Sequence, residues 1–136
     1  MTASKPQEFS TEVRGQYEDY PYPHRDLEKE WTFFSCCEPA TLMGLSHSCW
    51  GGKRDLRHGA RILIAGCGTG DSTIHYAEEV VGCDTQIVAI DISAASIAMA
   101  KARMAKRGLK NVTFHHMSIL DLPSAGLGQF DVIESS

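Results

Sequence analysis

The sequence has no apolar run of the about eighteen residues that a membrane-spanning helix requires. Its opening stretch, MTASKPQEFSTEVRGQ, lacks the apolar core of a signal peptide, so the expected setting is cytoplasmic. An excess of positive charge is missing too: 13 lysines and arginines stand against 17 aspartates and glutamates, a net charge of -4. Nucleic acid is therefore not the expected partner. Cys36, Cys37, Cys49, Cys67 and Cys83 include no C-x-x-C pair of the kind that zinc and redox sites use. They read as buried, reduced thiols, and no metal is expected.

What is present is an ordinary globular composition, 43% hydrophobic and 22% charged, in a chain of 136 residues that is long enough for one domain with a core. Residues 1–16 are polar and without periodic apolar positions, which predicts a flexible N-terminus. Residues 17–60 predict an aromatic arm followed by a helical cap. In YEDYPYPHRD, Tyr17, Tyr20 and Tyr22 alternate with two prolines that exclude a helix interior. In EPATLMGLSHSCWGG, Leu42, Leu45 and Cys49 recur at helical spacing behind Pro39, and Gly51 and Gly52 supply the stop.

From Arg61 to Ser136 strands and helices alternate. Ile62, Leu63 and Ile64 read as a fully apolar strand, followed by a helical stripe of Ile74, Ala77 and Val81 ended by Gly82. QIVAID reads as a second buried strand, and Ser93 as the cap of a helix whose face is Ile97, Ala100 and Met104 and whose stop is Gly108. Lys101, Arg103, Lys106, Arg107 and Lys110 read as a solvated face complementing the negative end of that helix. NVTFHH and FDVIES read as third and fourth strands. Near-continuous apolar strands separated by helices predict an α/β fold with a parallel sheet.

Gly66, Gly68 and Gly70 fall where the first strand passes into a helix, so the backbone there can turn tightly and approach a ligand closely, beside unpaired helix N–H groups. About twenty residues later Asp91 ends the second strand, a position from which a carboxylate accepts hydrogen bonds from both ribose hydroxyls. An adenosine-containing ligand is expected. The dinucleotide fingerprint G-x-G-x-x-G would need glycine or alanine where Asp71 or Thr73 stands, which counts against a nicotinamide cofactor. An acidic Asp71 at the helix mouth would also repel a pyrophosphate, whereas S-adenosyl-L-methionine carries an ammonium.

ILIAGCGTGDS, IVAIDISAASIAMAKAR, NVTFHHMSILDLP and GQFDVIESS resemble, in order and spacing, the class I S-adenosylmethionine-dependent methyltransferases. The segment YEDYPYPHRD is similar to the one ahead of the fold in the bacterial subgroup associated with tetratricopeptide repeats. The resemblance covers residues 61–136 and implies a Rossmann-like sheet whose first four strands run 3-2-1-4, with the later strands missing after Ser136. It implies that Gly66, Cys67, Gly68 and Gly70 cradle the methionine portion, that Asp91 holds the ribose and that Ile92 lies against adenine. Ser118 and Ile119 match the segment that binds the adenine edge, and Ser135 and Ser136 the strand end beside the transferring methyl. Tyr17 would close over the site, as would Tyr20 and Tyr22. The family often has an acidic residue where this chain has Ile64, and Asp where it has Ser118.

The function so implied is methyl transfer to an unidentified small-molecule or protein acceptor. If that acceptor needs a general base, His24, His115, His116 and Glu134 are the candidates. Two other classes stay open: a non-catalytic cofactor-binding or interaction module, and an NAD(P)-dependent oxidoreductase. The open side of the fourth strand is a candidate edge for self-association or pairing with another chain.

Overall fold

The computed structural model describes residues 9–31 and 41–135. Cys36, Cys37, Pro39 and Ser136 lie outside the described residues. The chain enters through helix α1 (Phe9–Asp19), runs along an irregular arm with a short 3-10 turn (Leu27–Lys29), and resumes in helix α2 (Leu42–Trp50). Strand β1 (Arg61–Ala65), helix α3 (Asp71–Glu79), strand β2 (Gln86–Asp91), helix α4 (Ala94–Lys106), strand β3 (Val112–His116) and strand β4 (Val132–Glu134) follow. All strands are parallel, in the order β3-β2-β1-β4, as the alternation and the resemblance predict.

The sheet centre is buried on both sides because β1 and β2 carry apolar residues at every interior position. On one face Ile62, Ile64, Ile87 and Ala89 meet Ile74 and Ala77 of α3 and Ile97 and Met104 of α4. On the other, Leu63, Ala65, Val88 and Ile90 meet Met117, Leu122, Leu127 and Phe130 from the segment between β3 and β4. Arg61 brackets that segment: its guanidinium donates to the carbonyls of Leu127 and Gln129 and lies 4.6 Å from the Phe130 ring centroid. β4 pairs with β1 alone among the described residues, and Ile133 on it is 64% exposed.

The helix boundaries follow local chemistry. Thr41 caps α2 by accepting from the Gly44 N–H, and Gly51 ends it at φ 59°. Ser93 caps α4 through its hydroxyl, as predicted. On α3 the stripe is corrected. The helix stops at Glu79, so Val80 turns into the core while Val81 is 61% exposed. Of the predicted flexible start, residues 1–8 lie outside the described residues and Phe9–Gln16 are helical, as are Tyr17–Asp19 of the predicted extended segment.

Candidate functional site

The site is built at the carboxyl ends of β1 and β2, where an open parallel sheet presents its loops to a ligand. The N–H groups of Gly66 and Cys67 both donate to the Ile90 carbonyl at 2.9 Å, which pins the glycine loop to the end of β2. Gly70 sits at φ 102°, and a Cβ there would lie 2.8 Å from Ala100 Cβ and 3.1 Å from Ala100 Cα. Its bareness therefore lets the loop touch α4. At Gly68, φ 50°, a Cβ would lie 2.7 Å from the Tyr22 carbonyl oxygen. Two of the three glycines thus make room for protein rather than for a ligand. At Gly66 a Cβ would meet only Ile119 Cδ1, at 3.9 Å, so there is room on that side of the glycine.

Asp91 closes the other side. Its Oδ2 accepts from the Gly68 N–H and its Oδ1 from the Ser93 N–H, each at 2.8 Å. Two backbone donors fix the carboxylate, and one accepted bond on each oxygen leaves lone pairs for two further hydroxyls. Cys67 is buried against this carboxylate; burial, and then the Asp91 charge, push its thiol up to about 12, so it stays protonated and is no nucleophile.

The other predicted residues sort themselves around this centre. Ile119 is half exposed beside Gly66, and Ile92 is half-buried one residue after Asp91. The Ser118 hydroxyl accepts from the Leu120 N–H at 3.2 Å and so caps the turn that carries Ile119. Ser135 is exposed at the end of β4. Tyr17 enters through its backbone: its carbonyl accepts from the Ser93 hydroxyl at 3.0 Å, and the residue is 42% exposed. Tyr20 and Tyr22 are 77% and 71% exposed.

Among the base candidates, His116 pairs in register with Asp91, and its Nε2 lies 2.9 Å from the Ile92 carbonyl. His115 is half-buried on β3, and His24 is exposed on the arm beside Arg25, Asp26, Lys29 and Glu30. Glu134 lies at the end of β4, with its Oε1 accepting from the Ser72 hydroxyl at 3.1 Å.

The sequence reading missed a network of charges that clamps the arm to the site. Arg103, predicted as solvated, is buried and donates to Glu30 at 2.7 Å, to Asp71 at 2.6 Å and to the Thr69 carbonyl at 2.9 Å. Arg107 reaches Glu30 at 2.6 Å and Glu78 at 2.8 Å, and Arg25 makes two bonds to Asp71. Burial raises the Glu30 and Asp71 pKa values. The guanidinium hydrogen bonds, from Arg103 and Arg107 on Glu30 and from Arg25 and Arg103 on Asp71, outweigh it and leave both below the ordinary range. A usable signal existed, since Arg103 stands three residues after Ala100, on the apolar stripe of α4. The paired charge on Asp71 also removes the premise that it would repel a pyrophosphate. Where α1 meets α4, Glu18 accepts from the Ala94 and Ala95 N–H groups at the start of α4, which lowers its pKa.

Residues 56–136 match the family model described as a methyltransferase domain. The chain is 29% identical over 140 residues to an uncharacterised protein of Synechococcus sp., a match covering 96% of this chain and 30% of that one. It is 40% identical over 75 residues to the magnesium-protoporphyrin O-methyltransferase of Rhodobacter capsulatus, covering 55% of this chain and 30% of that one. Among solved structures it is similar to PKMT2 from Rickettsia typhi in complex with AdoHcy, at 30% identity and a TM-score of 0.52, over 60% of this chain and 15% of that one. The chain thus spans less than a third of the length of each of these proteins.

Proposed function

Because the chain belongs to the methyltransferase-domain family, we propose that it is the S-adenosyl-L-methionine-binding part of an enzyme that methylates a small-molecule or protein acceptor. The observation that carries this reading is the Asp91 carboxylate, held by the Gly68 and Ser93 N–H groups with lone pairs to spare, one residue after the Ile90 carbonyl that accepts from the Gly66 N–H. A fixed carboxylate with free lone pairs is the acceptor that the two hydroxyl donors of a ribose diol need. Ile92 and Ile119 supply apolar edges for a purine, Ser118 a hydroxyl proton at its rim, and Ser135 marks the strand end facing the acceptor side. Tyr17 belongs to the wall through its carbonyl contact with Ser93.

The cofactor, when bound, supplies a methyl group already activated on a sulfonium. What this chain contributes is orientation, which is worth about 7–11 kcal/mol in well-arranged cases, so no strong base is required. His116 is the candidate nearest the ribose corner, through its pairing with Asp91. The free margin of β4 is where further strands of a longer chain, or a second copy, would add. Cys49, Cys67 and Cys83 are free thiols, which suits a cytoplasmic setting. Among the described residues no helix is long and apolar enough to cross a membrane.

Calorimetric titration with S-adenosylhomocysteine, and with NADH in parallel, tests the reading. Micromolar binding of the first and none of the second is expected. Preference for NADH would overturn it.

A further inference from the structure

We propose that Glu134 binds the α-ammonium of the cofactor's methionine portion, an inference that rests on the cofactor reading above. In the β1–β4 register Ile62 pairs with Val132 and Ile64 with Glu134. Side chains two apart on a strand share a face. Ile62, Ile64 and Val132 pack in the core beneath α3, so Glu134 projects a carboxylate to the side where its neighbours carry hydrocarbon. It does so at the end of the sheet where β1 becomes the glycine loop, two residues before Gly66.

The carboxylate is half satisfied. Oε1 accepts from the Ser72 hydroxyl at 3.1 Å, while Oε2 is buried and has no hydrogen-bond partner among the described residues. A carboxylate oxygen taken from water without a donor is unfavourable unless a donor arrives from elsewhere. The cations on Asp71, the residue beside Ser72, are already engaged: Arg103 with Glu30 and Asp71, and Arg25 with Asp71. A primary ammonium brings both the missing charge and up to three N–H donors, and its bond to a carboxylate is of the stronger, charge-assisted kind.

The placement also accounts for a departure noted in the sequence. The acidic residue that the family resemblance expects on β1 is Ile64 here, and Ile64 is fully buried. Its partner one strand over, at the same height, carries the acid instead. Glu134, a base candidate in the sequence, is on this account a cofactor ligand.

The test compares two ligands that share adenosine and sulfur. S-adenosylhomocysteine has the amino-acid end, and 5′-methylthioadenosine lacks it. In calorimetric titrations Glu134→Gln, which keeps the shape and the Ser72 contact, is expected to weaken S-adenosylhomocysteine binding by roughly 10- to 100-fold, the range of a lost charge-assisted bond. Binding of 5′-methylthioadenosine should change less than about twofold. Ser72→Ala, which frees Oε1 and loosens the carboxylate, should cause a smaller loss with the same selectivity, roughly threefold. It carries the test if Glu134→Gln does not fold by circular dichroism. Equal losses for both ligands, or no loss for either, would overturn the inference and leave the cofactor reading standing. If the wild-type chain binds neither ligand, both fall together.

Discussion

The arm and the sheet are held by different physics. Between Arg61 and Asp91 the chain is fixed by hydrocarbon: Ile62, Ile64, Ile87 and Ile90 are essentially inaccessible, and burying each contributes about 1.5–3 kcal/mol. Between Tyr17 and Glu30 it is fixed by polar contacts to distant residues. Glu30 bridges Arg103 and Arg107, Arg25 holds Asp71, the Thr69 hydroxyl donates to the Pro23 carbonyl at 2.6 Å, and Glu18 caps α4. Meanwhile Tyr20 and Tyr22 face solvent. Apolar burial sets the frame, and directional charge pairs lay the arm across the glycine loop.

The sharpest way to break this contrast is Glu30→Ala. The side chains of Glu30 and Arg103 are 1% and 2% exposed, so the variant leaves a buried guanidinium short of a partner. A loss of about 3 kcal/mol in urea denaturation is expected, the low end for a broken buried pair. A change under about 0.5 kcal/mol would mean that the arm does not depend on its charges.

Gly70→Ala strikes the frame instead. The new Cβ would collide with Ala100 at a backbone angle that disfavours any side chain, and about 2 kcal/mol should be lost. Adding Ala100→Gly should relieve only the Cβ–Cβ clash, leaving the 3.1 Å approach to the residue 100 Cα and the backbone part, and should itself cost about 1 kcal/mol inside α4.

A milder perturbation separates the two regions by pH. Glu30 and Asp71 have pKa values lower in the fold than in the unfolded chain. Their contribution is therefore complete above the ordinary carboxylate range, about pH 4, and is lost as pH falls through the depressed values. Trp31, whose ring centroid lies 5.0 Å from the Arg107 guanidinium, reports on the arm. In a Trp50→Phe background its fluorescence should change on acidification before the far-UV circular dichroism does. Coincident transitions would contradict separate anchoring.

The same contrast decides what could be read from the sequence. The strands, the glycine turn, the carboxylate at the end of β2 and the Ser93 cap were legible because each leaves a local mark: an apolar run, bare backbone, an acid at a strand end, a hydroxyl before a helix; the strand order came from the family resemblance. The arm was not, because Glu30 and Arg103 are 73 residues apart and no periodicity links them. Polar residues without apolar repeats suggested a flexible start, yet α1 forms there and lays Glu18 and the Tyr17 carbonyl on α4. The glycines were found for a partly different reason from the one the structure gives, since Gly68 and Gly70 accommodate Tyr22 and Ala100. Val81 was misplaced because the helix ended before its stripe did.

Asp91 and the glycine loop are proposed to form one adenosine site. Titrating S-adenosylhomocysteine into the wild-type chain and into Asp91→Ala tests it most directly. The variant should remain folded and bind about 1–3 kcal/mol more weakly, the cost of losing hydrogen bonds to a charged acceptor. Unchanged affinity in a folded Asp91→Ala chain would contradict it.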